Sequence, residues 1–499
     1  MKLPRLLLLS MTAALRVFAA DAAPTSAAPA PAALPREWID PDTGHRVIRL
    51  SDTPNSSALY FHQNSYTPEG DKFIFNAPAG IVAVDLTTLG QGEPKLELVV
   101  PGASAVEMAT RTREVYFTRG GGRRGGAGAG GRRSAAAAAT PAPTAAGQVG
   151  DLAQSPAQGS RGSDPASSSG AATPSAVPPA IAATPASGFF AANLDTHAVR
   201  TVPNVRGNEI NADETFSVLT LNATDPTGQV TPPPPRVMLP QRERMFGDKI
   251  KAGIPLTPDE EYAATKEDGL SRRIPNEASE AFTFTNLKTG AALTTGYQFA
   301  WLNHLQFSPT DPNLLLYCHE GTWHEVDRVW VIRTDGTGQR LLHTRTMDME
   351  IAGHEFWSHD GTTVWFDLQL PRSKDFWLAG VNLATGKETR YHLERDWWGV
   401  HFNISRDGKL FASDGGDPTQ VAFAKDGQWI NLLRPQADGS MQREKLVNMA
   451  KHNYVTGPRG GVEPNLTFTP DGKWVVFTGN FEGAKHVYAV EVARAAAAK

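Results

Sequence analysis

The 499-residue sequence predicts an all-β fold, a seven-bladed β-propeller, and three observations carry that expectation. The first is a unit, an apolar or Ser/Thr residue, a Pro/Asp/Gly turn and an alternating strand, that recurs seven times. Its copies are YTPEGDKFIFNA from residue 66, MATRTREVYFTR from 108, INADETFSVLTLN from 210, FSPTDPNLLLYC from 307, WSHDGTTVWFDL from 357, ISRDGKLFASDG from 404 and FTPDGKWVVFTG from 468. The second is a further hairpin between copies, as in VDLTTLGQGEP and TNLKTGAALTT, with its own Gly/Asp turn; Asp-Gly turns flanked by alternating apolar residues specify β-hairpins. The third is the spacing, roughly 50 residues per copy, which suits blades of four short strands stacked around a channel.

In chain order, Lys2 and Arg5, the run LLLLSMTAAL and the small residues of FAADAAP read as a secretory leader over residues 1–23, which predicts a periplasmic or secreted protein. Residues 24–37 form an Ala/Pro-rich linker. The propeller is expected over 38–119 and 188–495, interrupted at 120–187 by a Gly/Arg and then Ala/Pro/Ser/Thr stretch too poor in large apolar side chains to fold. This stretch follows the strand-like REVYFTRG and precedes GFFAANLD, so it reads as an insertion in a surface loop. A second insertion, residues 222–281, carries PPPPRVMLPQRERMFGDKIKAG and DEEYAATKEDGLSRR and is expected to be partly helical and to cover one face.

A formal net charge of −4 provides no basic footprint, so nucleic acid is not an expected partner. After the leader no run reaches the ~18 apolar residues of a membrane span. The single cysteine, Cys318, excludes an internal disulfide and reads as a small buried hydrophobe in LLLYC. There is no G-x-S-x-G elbow of a propeller-bearing serine peptidase.

Propeller geometry brings residues distant in sequence together where the loops enter the innermost strands. His304, His354, His401, Glu463 and Asn465 each stand a few residues ahead of their repeat's turn, and that common register predicts convergence. Gln63 holds the corresponding place in the first blade, and Arg328, Arg345 and Arg372 are candidates for binding carboxylates. His319 and His324 in CHEGTWHE have a metal-like spacing but are expected to order a loop; Trp397 and Trp398 are expected either to pack between blades or to stack on a sugar.

Taken together, LNHLQFSP, YCHEGTWHEVDRVWVI, GHEFWSHDG, HFNISRDG and FTPDGKWVVFTGNFEG resemble the oligogalacturonate lyases, seven-bladed propellers that split short pectin fragments by β-elimination. The similarity covers most of 38–119 and 188–493 and is densest from 297 onward. It implies that His304 is the general base and His354 a metal ligand. The family's Gln and two further His ligands fall at Gly460, Glu463 and Asn465, so the expected cation, Mn²⁺ first with Ca²⁺ or Mg²⁺ as alternatives, would be held by His354, Glu463 and Asn465. His401, Gln63, Arg328 and Arg372 would contact an acidic oligosaccharide. An arginine that the family carries on the strand before its catalytic histidine is missing from EAFTFTNLKTG; Arg272 and Arg273 are near but out of register. A non-catalytic periplasmic propeller that binds sugars or proteins is the alternative expectation, and the oligomeric state is left open.

Overall fold

In the computed structural model the chain is described over residues 34–119, 188–203, 205, 209–234, 237–274, 279–416, 420–422, 424, 428–454, 462–481 and 483–495. The expected leader, the linker as far as residue 33, the insertion at 120–187 and Gly460 lie outside them. The described strands form seven antiparallel sheets, one per predicted repeat. In blades one to six each strand pairs with its neighbours along the chain. Blade four is Trp301–Phe307, Leu314–Glu320, Val329–Arg333 and Arg340–Leu341; blade five is Ile351–Trp357, Thr363–Gln369, Phe376–Asn382 and Glu388–His392. Blade six runs Phe402–Ile404, Phe411–Asp414, Trp429–Pro435 and Met441–Asn448.

The repeated turn has a definite chemistry. The hydroxyls of Ser358, Ser405 and Thr469 donate to the Asp carboxylate two residues on, at 2.6, 2.7 and 2.7 Å. The glycine that follows takes a left-handed conformation, φ +68° at Gly361, where a Cβ would stand 2.0 Å from the Thr310 hydroxyl. In blade two, Glu114–Arg119 pairs in register with Gly188–Asn193, Arg119 opposite Gly188, so residues 120–187 join two neighbouring strands.

Blade seven closes the ring. Thr467–Phe468, Trp474–Gly479 and His486–Arg494 come from the C-terminal end of the chain, and His45–Arg49 and Glu37–Ile39 from the N-terminal end. The join is the pairing of His45–Arg49 with His486–Arg494, with Ile48 opposite Ala489. Apolar side chains from adjacent sheets fill the seams: Phe356, Phe376 and Leu378 meet Phe402, Phe411 and Leu433 between blades five and six, while Ile48, Val476 and Val487 meet Phe73, Phe75 and Val84 between blades seven and one.

The insertion within blade three holds two helices, α1 (Gln241–Lys251) and α2 (Pro258–Ser271). Thr257 caps α2 in a reciprocal box with Glu260, and Pro258 occupies the first turn, where its missing N–H costs nothing. No helix among the described residues is long and apolar enough to cross a membrane.

Because Ile48 is fully buried in the seam that closes the ring, Ile48→Ala is expected to destabilise the whole chain by about 2–5 kcal/mol. Chemical denaturation followed by circular dichroism measures this; a loss below about 1 kcal/mol would mean that the join contributes little.

Candidate active site

The entry to the inner strands is built by an unusual backbone. His304, His354 and Asn465 have φ of +50°, +46° and +49°, a left-handed conformation that non-glycine residues rarely adopt. In blades four and five it coincides with a break in strand register, between Asn303 and Gln306 and between Gly353 and Phe356. A bulge re-aims a side chain that regular alternation would otherwise place in the sheet. Strain of this kind costs on the order of 1–3 kcal/mol per residue and persists only where surrounding structure enforces it.

His304 sits between two carboxylates. Its Nε2 is 3.4 Å from Glu320 and its Nδ1 is 3.9 Å from Glu355, with 8% of its side chain exposed. Glu355 is fully buried, and neither of its carboxylate oxygens has a hydrogen-bond partner among the described residues. Arg328, buried beneath the Trp323 ring at 4.1 Å, donates to Glu320 at 2.6 Å and lies 3.6 Å from the Cys318 sulfur. Burial opposes the charge on Glu320, but Arg328 and then His304 overcome it and bring its pKa to about 2. Burial pushes the Cys318 thiol up, so the sulfur stays protonated.

His354 and His401 are held alike. Each directs Nδ1 to an Asp thirteen positions later, His354 to Asp367 at 3.1 Å and His401 to Asp414 at 2.8 Å, which turns Nε2 away from the carboxylate. Asp414 also accepts the backbone N–H groups of Val400 and His401. The two imidazoles are 4.9 Å apart, and His401 Nε2 lies 3.9 Å from Glu463. Burial, then the charges of His401, His304 and Arg328, hold His354 well below the ordinary imidazole value. Burial also opposes the charge on His401, yet Asp414, followed by Glu463 and Asp367, raises its pKa. Burial lifts Asp367 to about 7 against the pull of Arg328 and His401.

Blade one completes the cluster. Tyr60 packs between His304 and His401, at 5.9 and 5.7 Å, and burial with the nearby Glu463, Glu355 and Glu320 keeps its phenol protonated. His62 lies 6.3 Å from His304, its pKa held low by burial and then by His304 and His401. Sequence reasoning chose its neighbour instead. Gln63 accepts from the Tyr60 N–H and reaches Glu209 at 3.5 Å, so it braces this segment. The triplet HQN offered no signal that His62 is the residue facing the other imidazoles.

The remaining candidates take local partners. Asn465 donates to the Glu463 carbonyl at 3.2 Å, and its buried Oδ1 accepts no hydrogen bond among the described residues. Arg328 is engaged by Glu320, and Arg372 by Glu267 at 2.7 Å. Arg345 pairs with Asp327 and donates to the His324 carbonyl. His319 bonds Gln298 and stacks on Trp330, and burial lowers its pKa to about 4. His343 is clasped by Glu350 and Glu388, and Trp398 packs against Phe376 between blades.

Among the described residues one set of three potential metal ligands falls within 4.8 Å of one another: His304, Cys318 and Glu320. Arg328 already supplies the positive charge there. A second group of atoms able to bind a cation comprises His354 and His401, each with Nδ1 held by a carboxylate, the Glu463 carboxylate beside His401, and the unpaired Oδ1 of Asn465 two residues along the chain from Glu463. Of the two rings only His354, held low and oriented by Asp367, has the neutral, carboxylate-fixed form usual for a histidine ligand.

A family model described as oligogalacturonate lyase matches residues 279–496. The chain resembles the oligogalacturonate lyases. An oligogalacturonide lyase of Pectobacterium atrosepticum is 29% identical over 228 residues, and an oligogalacturonate lyase of Dickeya dadantii is 30% identical over 228. Each alignment covers 43% of this chain and spans 58% of the length of the relative. Among solved structures, an oligogalacturonate lyase in complex with manganese superposes with a TM-score of 0.60 at 18% identity, covering 92% of this chain and 96% of the other. The oligogalacturonate lyase from Vibrio parahaemolyticus gives 0.57 at the same identity and coverage. At that identity the superpositions establish the seven-bladed fold, and the sequence match to the oligogalacturonate lyases lies over blades four to seven, which carry His304, His354, His401 and Glu463.

The raised pKa of His401 stabilises the fold below the ordinary value of 6.5, and this contribution fades as pH rises through the folded value. Asp414→Asn removes the largest raising influence while burial remains. The His401 titration midpoint, followed by NMR of its Cε1–H, is expected to fall below 6.5; an unchanged midpoint would mean that Asp414 does not set its charge.

Proposed function

We propose that the chain is a lyase that splits uronate-containing oligosaccharides, of the oligogalacturonate kind, by β-elimination. The observation that carries this reading is the meeting of His304, His354, His401 and Glu463, from four successive blades, in one charged cluster joined by Tyr60 and His62 of blade one. The match to the oligogalacturonate lyases over the same blades supports it.

In such an elimination a base removes the proton at C5, the C4–O bond breaks, a C4=C5 double bond forms, and the leaving oxygen takes up a proton. His304 is the base in this reading. Glu320, 3.4 Å from Nε2, stabilises the imidazolium that His304 becomes, as a carboxylate does for a catalytic histidine, and Nδ1, which has no hydrogen-bond partner among the described residues, is the nitrogen left to accept the proton. Arg328 neutralises Glu320, so that carboxylate is not a buried charge left without a partner. A divalent cation held by His354, Glu463 and Asn465 would supply the positive charge that offsets the substrate carboxylate as C5 is deprotonated. Among the described residues the carboxylates of Glu320, Glu355, Asp367, Asp414 and Glu463 outnumber the cationic partners beside them, Arg328 and His401, which favours a bound cation. The imidazole donor favours Mn²⁺ over Ca²⁺ or Mg²⁺. Arg372 and His401 are the substrate contacts. The basic, apolar and small-residue order of the first 23 residues supports export to the periplasm or beyond.

A non-catalytic sugar-binding propeller has one observation in its favour, the oxygen-bearing Glu463 and Asn465 in place of histidines. The two readings separate on oligogalacturonate and other uronate oligomers, with and without Mn²⁺, by the ultraviolet absorbance of the unsaturated product. The wild-type chain is expected to generate absorbance, and His304→Ala to lose about 10²–10⁴-fold in rate with its circular dichroism unchanged. No absorbance from any uronate under any cation would hand the case to the binding reading.

A further inference from the structure

The assembled groups are closed over. The side chains of His304, His354 and His401 are 8, 6 and 1% exposed, too little for a sugar ring to reach them. The cover is α2. Leu270 packs on Trp323 and Ile351, Glu267 accepts the Trp323 backbone N–H at 3.2 Å, and the Trp323 ring rests 4.9 Å from His354. A narrow cavity lies beneath, lined by Lys266, Glu267, Trp323, Arg372, Gln420 and Val421.

The same Glu267 holds Arg372, at 2.7 Å with side chains 3 and 7% exposed. Arg372 stands 3.4 Å from His324, and Arg244 and Arg345 act on the same imidazole, helping burial bring its pKa to about 3. Each of these arginines is matched by a carboxylate of the protein: Arg244 by Asp348 and Glu325, Arg345 by Asp327, Arg372 by Glu267. Of these carboxylates only Glu267 belongs to the covering helix.

We propose that Arg372 is a carboxylate-reading subsite for an oligouronate, and that Glu267 occupies it in the closed chain as a stand-in for a substrate carboxylate. This rests on the uronate reading above. The exchange is chemically symmetrical: one carboxylate leaves the guanidinium as another arrives. Withdrawing Glu267 with no replacement would strand a buried charge, which is strongly unfavourable. An acidic sugar can therefore lift α2 from the mouth, and a neutral one cannot. The buried residues of α2 are Ala264, Glu267, Leu270 and Ser271, so a single large apolar side chain is uncovered when it moves. The substrate's second carboxylate, at a neighbouring residue of the oligomer, is the group Arg372 would read; the one beside the scissile bond belongs at the cluster of imidazoles. Selectivity for oligomers over single uronates follows.

The test uses the full chain carrying His304→Ala, with trigalacturonate as the probe and maltotriose as its neutral counterpart. Hydrogen exchange over residues 258–271 is expected to rise with trigalacturonate and to stay level with maltotriose. Adding Glu267→Gln should raise exchange there without ligand and tighten trigalacturonate binding by calorimetry roughly tenfold, about the weight of one charge-assisted pair. Arg372→Ala, with Arg372→Lys as the variant that keeps the charge, should weaken it by a similar factor and silence the response of α2. The proposal fails if trigalacturonate protects α2, or if Glu267→Gln binds no tighter while its circular dichroism is native. Turnover by the wild-type chain with no response in α2 would sink the subsite and spare the lyase reading. Binding and a response in α2 without unsaturated product would do the reverse.

Discussion

Ring closure is the constraint on which the rest depends. Pairing His45–Arg49 with His486–Arg494 brings blade one against blade seven. The contact lets Tyr60 touch both His304 and His401, and the Asn403 amide reach the Phe61 carbonyl at 3.4 Å across 342 positions of sequence. No single blade holds a site. Blades one and four to seven each contribute side chains at the entry of the inner strand, and the cluster forms where those entries meet. An unclosed ring would leave each histidine beside its own strand partner with nothing to act on.

The second level is electrostatic. Burying several carboxylates together is unfavourable unless counter-charge is built in with them. Arg328 serves Glu320, His401 serves Asp414, and the imidazoles of His304 and His354 lie among Glu355, Glu463 and Asp367. This places neutral and charged imidazoles side by side: His354 and His62 are held low, while His401 is held high. Between His354 and His401 the contrast comes from the carboxylates each ring faces, since both are buried.

Function also limits how the site can be packed. His304, His354 and Asn465 keep a left-handed backbone where a regular strand would be less strained, and Trp323 rests over a glycine, Gly353, where a Cβ would stand 2.1 Å from its ring. Helix α2 lies above Trp323 and is tied down mostly through polar contacts. The bulged inner strands therefore carry the imidazoles, while Trp323 over His354 is held by α2 through Leu270 and the Glu267 carboxylate.

The sequence by itself determined what depends on short-range periodicity. Seven blades, the Ser/Thr-x-Asp-Gly turns, the helical insertion in blade three and the register of His304, His354, His401, Glu463 and Asn465 were all readable, because hairpin turns and strand alternation are set by residues a few positions apart. Tertiary structure alone decided which side of each candidate faces the channel and what already occupies it. His62 points toward the imidazoles and Gln63 braces the chain, since the two neighbours leave the backbone in different directions. Arg328 and Arg372 arrive already paired, one with Glu320 eight positions away and the other with Glu267 on an inserted helix 105 positions away. Ion pairs form according to distance in space, and a linear spacing carries no record of which carboxylate will be nearest.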